Sequence, residues 1–120
     1  MHAFEELLVW QNAQELTVEI YKLLRDNKDY GFKDQIQRAS VSIMNNIAEG
    51  CDSGTDSLFL RYLHIAKGSC AETRSMLHLS VKLGYSSEEQ KQSLVDKTVV
   101  ISKQLDRLMQ SIERRNKSND

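Results

Sequence analysis

The chain has 120 residues, of which 40% are hydrophobic and 28% charged, so one domain can bury a sizeable core and disorder is excluded. Its formal net charge is -1 and its pI is about 6.3, which excludes a strongly basic protein that binds nucleic acid through its whole surface. The absence of proline and the presence of only five glycines favour long helices over a turn-rich β-sandwich.

Two amphipathic helices are predicted in the first half of the chain, because apolar residues recur there at three- and four-residue steps. The first covers residues 6–27, and its inner face carries Val9, Ala13, Leu16, Ile20 and Leu23. The second covers residues 33–49, and its inner face carries Ile36, Ala39, Ile43 and Ile47. We expect Gly31 to lie in the joint between them and Gly50 to end the second helix, as a glycine just past a helix commonly does.

Two longer helices are predicted in the second half. The third covers residues 56–83, with Thr55 or Asp56 as its N-cap and many small residues on its inner face. Gly68 inside this helix would be explained by the close approach of a neighbouring helix. The fourth covers residues 87–115 and begins with a predicted capping box of Ser86 and Glu89. Short joints between such helices predict an all-α, up-and-down antiparallel four-helix bundle, as a single domain over residues 1–120.

The second predicted helix has two unusual flanks beside its inner face. A polar stripe of five residues occupies one flank: Gln35, Arg38, Ser42, Asn46 and Glu49. This stripe is a solvated face, a half-buried polar network that fixes the helix register, or a site for a ligand or partner. An apolar flank of three residues occupies the other side: Val41, Met44 and Ala48. Apolar surface beyond what one bundle buries predicts a self-association interface, although scattered exposed apolar residues are common.

A set of basic residues marks the third and fourth helices. On the third helix these are Lys67, Arg74, His78 and Lys82, and on the fourth they are Arg107, Arg114 and Arg115. This basic patch is either an ordinary solvated face or a contact surface for phosphates of nucleic acid or for an acidic partner.

The chain carries none of the residue patterns that indicate catalysis or cofactor binding. His64 and His78 stand fourteen residues apart, about 21 Å along one helix, so they cannot share a metal ion. Neither a Glu-x-x-His nor a Cys-x-x-Cys pair is present, and the glycine-rich loops that bind phosphate are absent. Cys51 and Cys70 are too few for a disulfide framework. We therefore expect no catalytic residues, no cofactor, no metal and no small-molecule substrate.

The cell compartment is predicted from what the sequence lacks. The first residues contain no basic n-region and no apolar h-region of a secretory signal. No apolar run approaches the roughly 18 residues that a membrane span requires. We therefore expect a cytoplasmic protein with reduced thiols and no membrane partner.

Three segments resemble one known family. They are VWQNA at residues 9–13, QIQRASVSIMNNIAEG at residues 35–50 and FLRYLHIAKGSCAE at residues 59–72. Together they resemble the 23S rRNA-intervening-sequence protein family, also called the four-helix bundle protein family. The resemblance implies a ring-like homopentamer of four-helix bundles without an established biochemical activity. More distantly, the chain is similar to accessory variability proteins of diversity-generating retroelements, which bind a reverse transcriptase and nucleic acid.

Two functions follow as hypotheses. The leading one is a non-enzymatic, homo-oligomeric bundle that serves as a binding or scaffolding module for itself and another protein. The alternative is a nucleic-acid-binding accessory protein that uses the basic patch.

Overall fold

The structure consists of a small number of long helices, as the apolar periodicity predicts. The computed structural model describes residues 3–118, which form a 3-10 turn followed by four α-helices. The turn is Phe4–Glu6, and the helices are α1 Leu8–Leu23, α2 Tyr30–Cys51, α3 Asp56–Lys82 and α4 Glu88–Ser118. The predicted all-α four-helix fold is confirmed.

The four helices form a square in which each packs against two others. α1 contacts α2 and α4, and α3 also contacts α2 and α4. Side-chain pairs show that α3 and α4 run antiparallel, because Lys67 pairs with Asp106 whereas the earlier Asp56 pairs with the later Arg115. The result is a rod with extents of 52 × 20 × 20 Å.

The core runs along the axis of this rod. Each helix contributes fully buried apolar side chains, among them Leu16, Ile20, Ile43, Ile47, Leu63, Leu77, Ile101 and Leu105. Burying each such side chain contributes roughly 1.5–3 kcal/mol. Small hydroxyl residues also lie in the core, because each hydroxyl donates to a carbonyl one turn earlier in its own helix. Thr73, for example, donates to the Ser69 carbonyl over 2.8 Å, and Thr98 donates to the Val95 carbonyl over 2.6 Å.

The second helix is longer at both ends than predicted. It begins at Tyr30 because the carboxylate of Asp29 accepts a hydrogen bond from the Phe32 backbone N–H over 3.2 Å. Gly31 therefore lies in the first helical turn and not in a joint. At the other end Gly50 is inside the last turn, and the chain reverses only at Gly54, whose φ is 92°.

Gly50 serves a packing role that the sequence did not reveal. A Cβ atom at this position would lie 2.9 Å from the Tyr62 Cβ and 3.0 Å from the Phe59 Cδ1. The glycine therefore lets the end of α2 approach the start of α3. Gly68, in contrast, is exposed, and no atom lies within 4 Å of a Cβ built there. The prediction that Gly68 permits close packing is thus wrong within a single copy of the chain.

The joint between α3 and α4 is a Schellman turn. Gly84 has a φ of 76°, and the backbone N–H of Tyr85 donates to the Ser80 carbonyl over 2.8 Å. The capping box that follows lies one residue later than predicted. Ser87 and Gln90 each accept a hydrogen bond from the other's backbone N–H, over 3.0 and 2.9 Å, whereas the Ser86 hydroxyl bonds to Ser80.

Candidate interaction surfaces

The polar stripe of α2 divides into two parts. Ser42 and Asn46 join a half-buried network with α3, since the hydroxyls of Ser42 and Ser69 lie 2.9 Å apart. The amide of Asn46 donates to the hydroxyl of Ser42 over 2.9 Å. The other three residues of the stripe are exposed: Gln35, Arg38 and Glu49. The stripe therefore contains a network that joins α2 to α3 at its centre and three exposed residues elsewhere, and its use as a ligand or partner site stays a prediction.

The apolar flank of α2 is half-buried. Val41, Met44 and Ala48 each keep part of their surface exposed, and Met44 packs against the core. Ala48 also lines a shallow hollow that it shares with Leu58 and Tyr62 of α3. The assignment of this flank to a self-association interface stays a prediction.

A second apolar surface lies on α3 and was missed from the sequence. We call it the α3 stripe, and it consists of Leu58, Ile65, Leu79 and Leu83, which are 40–45% exposed. The first three stand at multiples of seven residues and therefore return to nearly the same face of the helix. The seven-residue spacing is visible in the sequence, but the exposure of these residues depends on which face of α3 packs against α2 and α4.

The predicted basic patch is spread along the rod and partly neutralised. Its α3 members span residues 67–82, which is about 22 Å of helix. The ammonium of Lys67 lies 2.6 Å from the Asp106 carboxylate, and the guanidinium of Arg115 lies 2.6 Å from the Asp56 carboxylate. Arg74 is half-buried, whereas His78, Lys82 and Arg107 are exposed. Arg114 also has an interaction partner. The role of this patch in binding stays a prediction.

A groove between α1 and α2 brings together cations that no sequence motif marks. We call it the α1–α2 groove; its volume is about 510 Å³, and its lining residues are Thr17, Val18, Tyr21, Lys22, Arg25, Lys33 and Gln37. The ammonium of Lys33 donates to the Arg25 carbonyl over 3.0 Å and is thereby held at the edge of the groove. The Tyr21 ring is 45% exposed. The sequence signal is a cluster of basic residues on both sides of the first joint.

Hydrogen bonds between side chains shift the pKa values of Asp29, Tyr85 and Lys97. A hydrogen bond from the Tyr85 hydroxyl, over 2.6 Å, lowers the pKa of Asp29, and the backbone N–H of Phe32 lowers it further. The same bond raises the pKa of Tyr85. A hydrogen bond to Glu19 raises the pKa of Lys97 between α1 and α4. The first bond links the joint before α2 to the joint after α3, and the second links α4 to α1.

The two cysteines are in different environments. Burial raises the pKa of the Cys70 thiol to about 11, and this thiol donates to the Thr98 carbonyl over 3.2 Å. Burial also raises the pKa of the half-buried Cys51, and the charge of Asp52 adds to the effect. Both shifts disfavour the thiolate that a nucleophile requires.

Within residues 3–118, no three His, Cys, Asp or Glu side chains come close enough together to hold a metal ion. The helices of this part of the chain are also not both long and apolar enough for any of them to cross a lipid bilayer.

Comparison with known proteins agrees with the fold. A sequence profile described as "23S rRNA-intervening sequence protein" matches residues 5–107. A crystal structure of a protein of unknown function from the S23 ribosomal protein family of Bacteroides thetaiotaomicron VPI-5482 is similar, with a TM-score of 0.79 and 29% sequence identity. The similarity covers 85% of this chain and 98% of that one. Among curated proteins, none matches the sequence.

Proposed function

We propose a function from one premise: the chain belongs to the 23S rRNA-intervening sequence protein family. Our proposal is that it is a homo-oligomeric four-helix bundle, acting as a non-enzymatic binding or scaffolding module. The resemblance to ring-like homopentamers gives five as the expected number of subunits.

The exposed α3 stripe is the observation that carries this proposal. Leu58 and Leu83 are 25 residues apart, so the stripe extends over roughly 37 Å, much of the 52 Å length of the rod. Single exposed apolar residues are ordinary on soluble proteins, but four large ones along one face, interrupted by Glu72 between Ile65 and Leu79, favour an interface. A second copy of the chain offers apolar surface to match it.

The arrangement of the apolar surfaces supports a ring over a two-fold dimer. The α3 stripe and the apolar flank belong to different helices, and Ala48 and Leu58 line one shallow hollow where the two surfaces come together. When one copy's stripe meets the next copy's flank, the contact is heterologous, and repeated heterologous contacts close into a ring when the rotation permits.

The experiment is to place charges on the α3 stripe. We expect Ile65→Glu combined with Leu79→Glu to yield monomers in size-exclusion chromatography with multi-angle light scattering, because two buried carboxylates without partners would oppose association. Circular dichroism should still report a folded helical protein, since both side chains are on the surface of the single chain.

The matched control is Val100→Glu, at a residue of α4 that is 49% exposed. This variant should keep the wild-type mass. If the double variant also keeps that mass, the α3 stripe is not the interface. The same measurement on Ala48→Glu tests the apolar flank, and this change is preferable to Met44→Glu because Met44 also packs against the core.

A further inference from the structure

The α1–α2 groove carries an excess of positive charge. Lys22, Arg25 and Lys33 line it, and Lys28 is exposed in the joint beside it. Within the described residues, no carboxylate lies within 4 Å of any of these four cations. They differ in this respect from Lys67 and Arg115 of the predicted basic patch.

The aspartates of the same region do not cancel this charge. The Asp29 carboxylate accepts hydrogen bonds from Tyr85 and Phe32, and the Asp34 carboxylate lies 2.8 Å from the Arg38 guanidinium. The donors to Asp29 are neutral, so this carboxylate keeps its charge, and Asp26 is the second acid of the joint. Four cations against these two carboxylates leave a locally positive surface on a chain whose net charge is -1.

Exposed tyrosines lie beside these cations. Tyr21 forms part of the groove wall and is 45% exposed, and Tyr30 at the start of α2 is 69% exposed. Aromatic rings among cations are typical of surfaces that bind single strands, because bases stack on the rings while the cations contact phosphates. The basic patch on α3 and α4 lacks such interleaved aromatic residues.

The groove also offers uncommitted hydrogen-bond donors. The Lys33 ammonium has three donors, of which the bond to the Arg25 carbonyl uses one. The guanidinium of Arg25 adds a planar set of donors that fits phosphate oxygens. The groove volume of about 510 Å³ is within the range of small-ligand sites.

From these observations, we propose that the α1–α2 groove binds single-stranded nucleic acid. Its three lining cations contact phosphates, and Tyr21 stacks against a base. This site is separate from the α3 stripe, and it does not depend on the proposed oligomeric function.

The test measures fluorescence anisotropy of labelled single-stranded oligothymidylate and oligouridylate with the full-length protein over a salt series. Three phosphate contacts predict that the logarithm of affinity falls with the logarithm of salt concentration with a slope of about -2. Lys22→Glu combined with Arg25→Glu should weaken binding by at least about tenfold and reduce that slope by about 1.4.

Tyrosine variants separate stacking from simple charge attraction. Tyr21→Ala should weaken binding about tenfold with an unchanged salt slope, and Tyr21→Phe should bind as wild type does. The matched charge control is Lys103→Glu with Lys117→Glu, which makes the same change in net charge at exposed lysines of α4. We expect this control to bind within about twofold of wild type.

Four binding results would overturn the proposal: no binding at low salt, equal loss in the charge control, no effect of Tyr21→Ala, or an affinity for duplex DNA and heparin equal to that for the single strands. The last two would indicate general attraction of polyanions. Light scattering on every variant keeps the two proposals distinguishable. Loss of binding at unchanged mass concerns the groove, whereas loss of mass in the Lys22 and Arg25 variant would make the groove a subunit interface and contradict the proposal.

Discussion

At the scale of single residues, two glycines inside helices have opposite surroundings. A side chain at Gly50 would collide with the Tyr62 Cβ and the Phe59 ring, whereas a side chain at Gly68 would meet nothing within 4 Å. Helix propensity favours alanine over glycine at both positions. Packing therefore decides whether alanine raises or lowers the stability at Gly50, and helix propensity decides it at Gly68.

We predict that Gly50→Ala lowers the free energy of unfolding by about 1–3 kcal/mol, since the backbone of α2 must move away from α3. Gly68→Ala should raise it by up to about 1 kcal/mol. Urea unfolding at one protein concentration measures both. An unchanged or raised stability for Gly50→Ala would contradict the close approach of the two helices.

The Asp29–Tyr85 hydrogen bond gives a prediction about pH at the same scale. Since the pKa of Asp29 in the folded protein is below its ordinary value of about 4, the contribution of Asp29 to stability is present above that value and is lost as the pH falls through the folded pKa. The pKa of Tyr85 is raised, so the contribution of Tyr85 is present below about pH 10 and is lost as the pH rises through the folded pKa.

Tyr85→Phe removes the hydroxyl and keeps the edge-to-face contact with Phe32, whose ring centroid lies 5.3 Å away. We expect the urea midpoint of this variant to depend less on pH than that of wild type, both below about pH 4 and above about pH 10. The difference between the two curves isolates this bond from the other titrating groups. Parallel curves over the whole range would exclude a stabilising role for it.

At the scale of the elements, apolar periodicity predicted the helix number and order, because an inner face repeats over many residues. The helix ends were less predictable, since one hydrogen bond decides each of them. Asp29 begins α2 before Gly31, and Ser87 instead of Ser86 caps α4. A glycine marks a helix end only when its φ is positive, as at Gly84. Sequence alone does not distinguish that case from Gly50.

The candidate surfaces were less predictable because they depend on which helices are neighbours. The ion pair of Lys67 with Asp106 joins residues 39 apart in sequence, so the partial neutralisation of the basic patch could not be anticipated. Similarly, Lys22 and Lys33 share a groove only because α1 and α2 pack beside their joint. The residues of the polar stripe could be recognised from their spacing. Which of them are half-buried could not, because this depends on the contact of Ser42 with Ser69 of α3.

At the scale of the whole molecule, the fold combines a rod-shaped core with an exposed apolar surface and a groove that one chain does not bury. The α3 stripe runs along one side, and the α1–α2 groove lies between two other helices near their joint. A ring of such rods would present several copies of the groove. Repeated copies would increase the apparent affinity for a long single strand, because a second contact on the same strand is intramolecular.

The most direct test of the proposed homo-oligomer is the mass of the wild-type protein by sedimentation equilibrium, at several concentrations down to micromolar and at low and high salt. We predict one species at five times the chain mass of 13.8 kDa. The salt concentration should have little effect on this mass, since the proposed contacts between subunits are apolar. A mass of 13.8 kDa under all of these conditions would contradict the proposed oligomer.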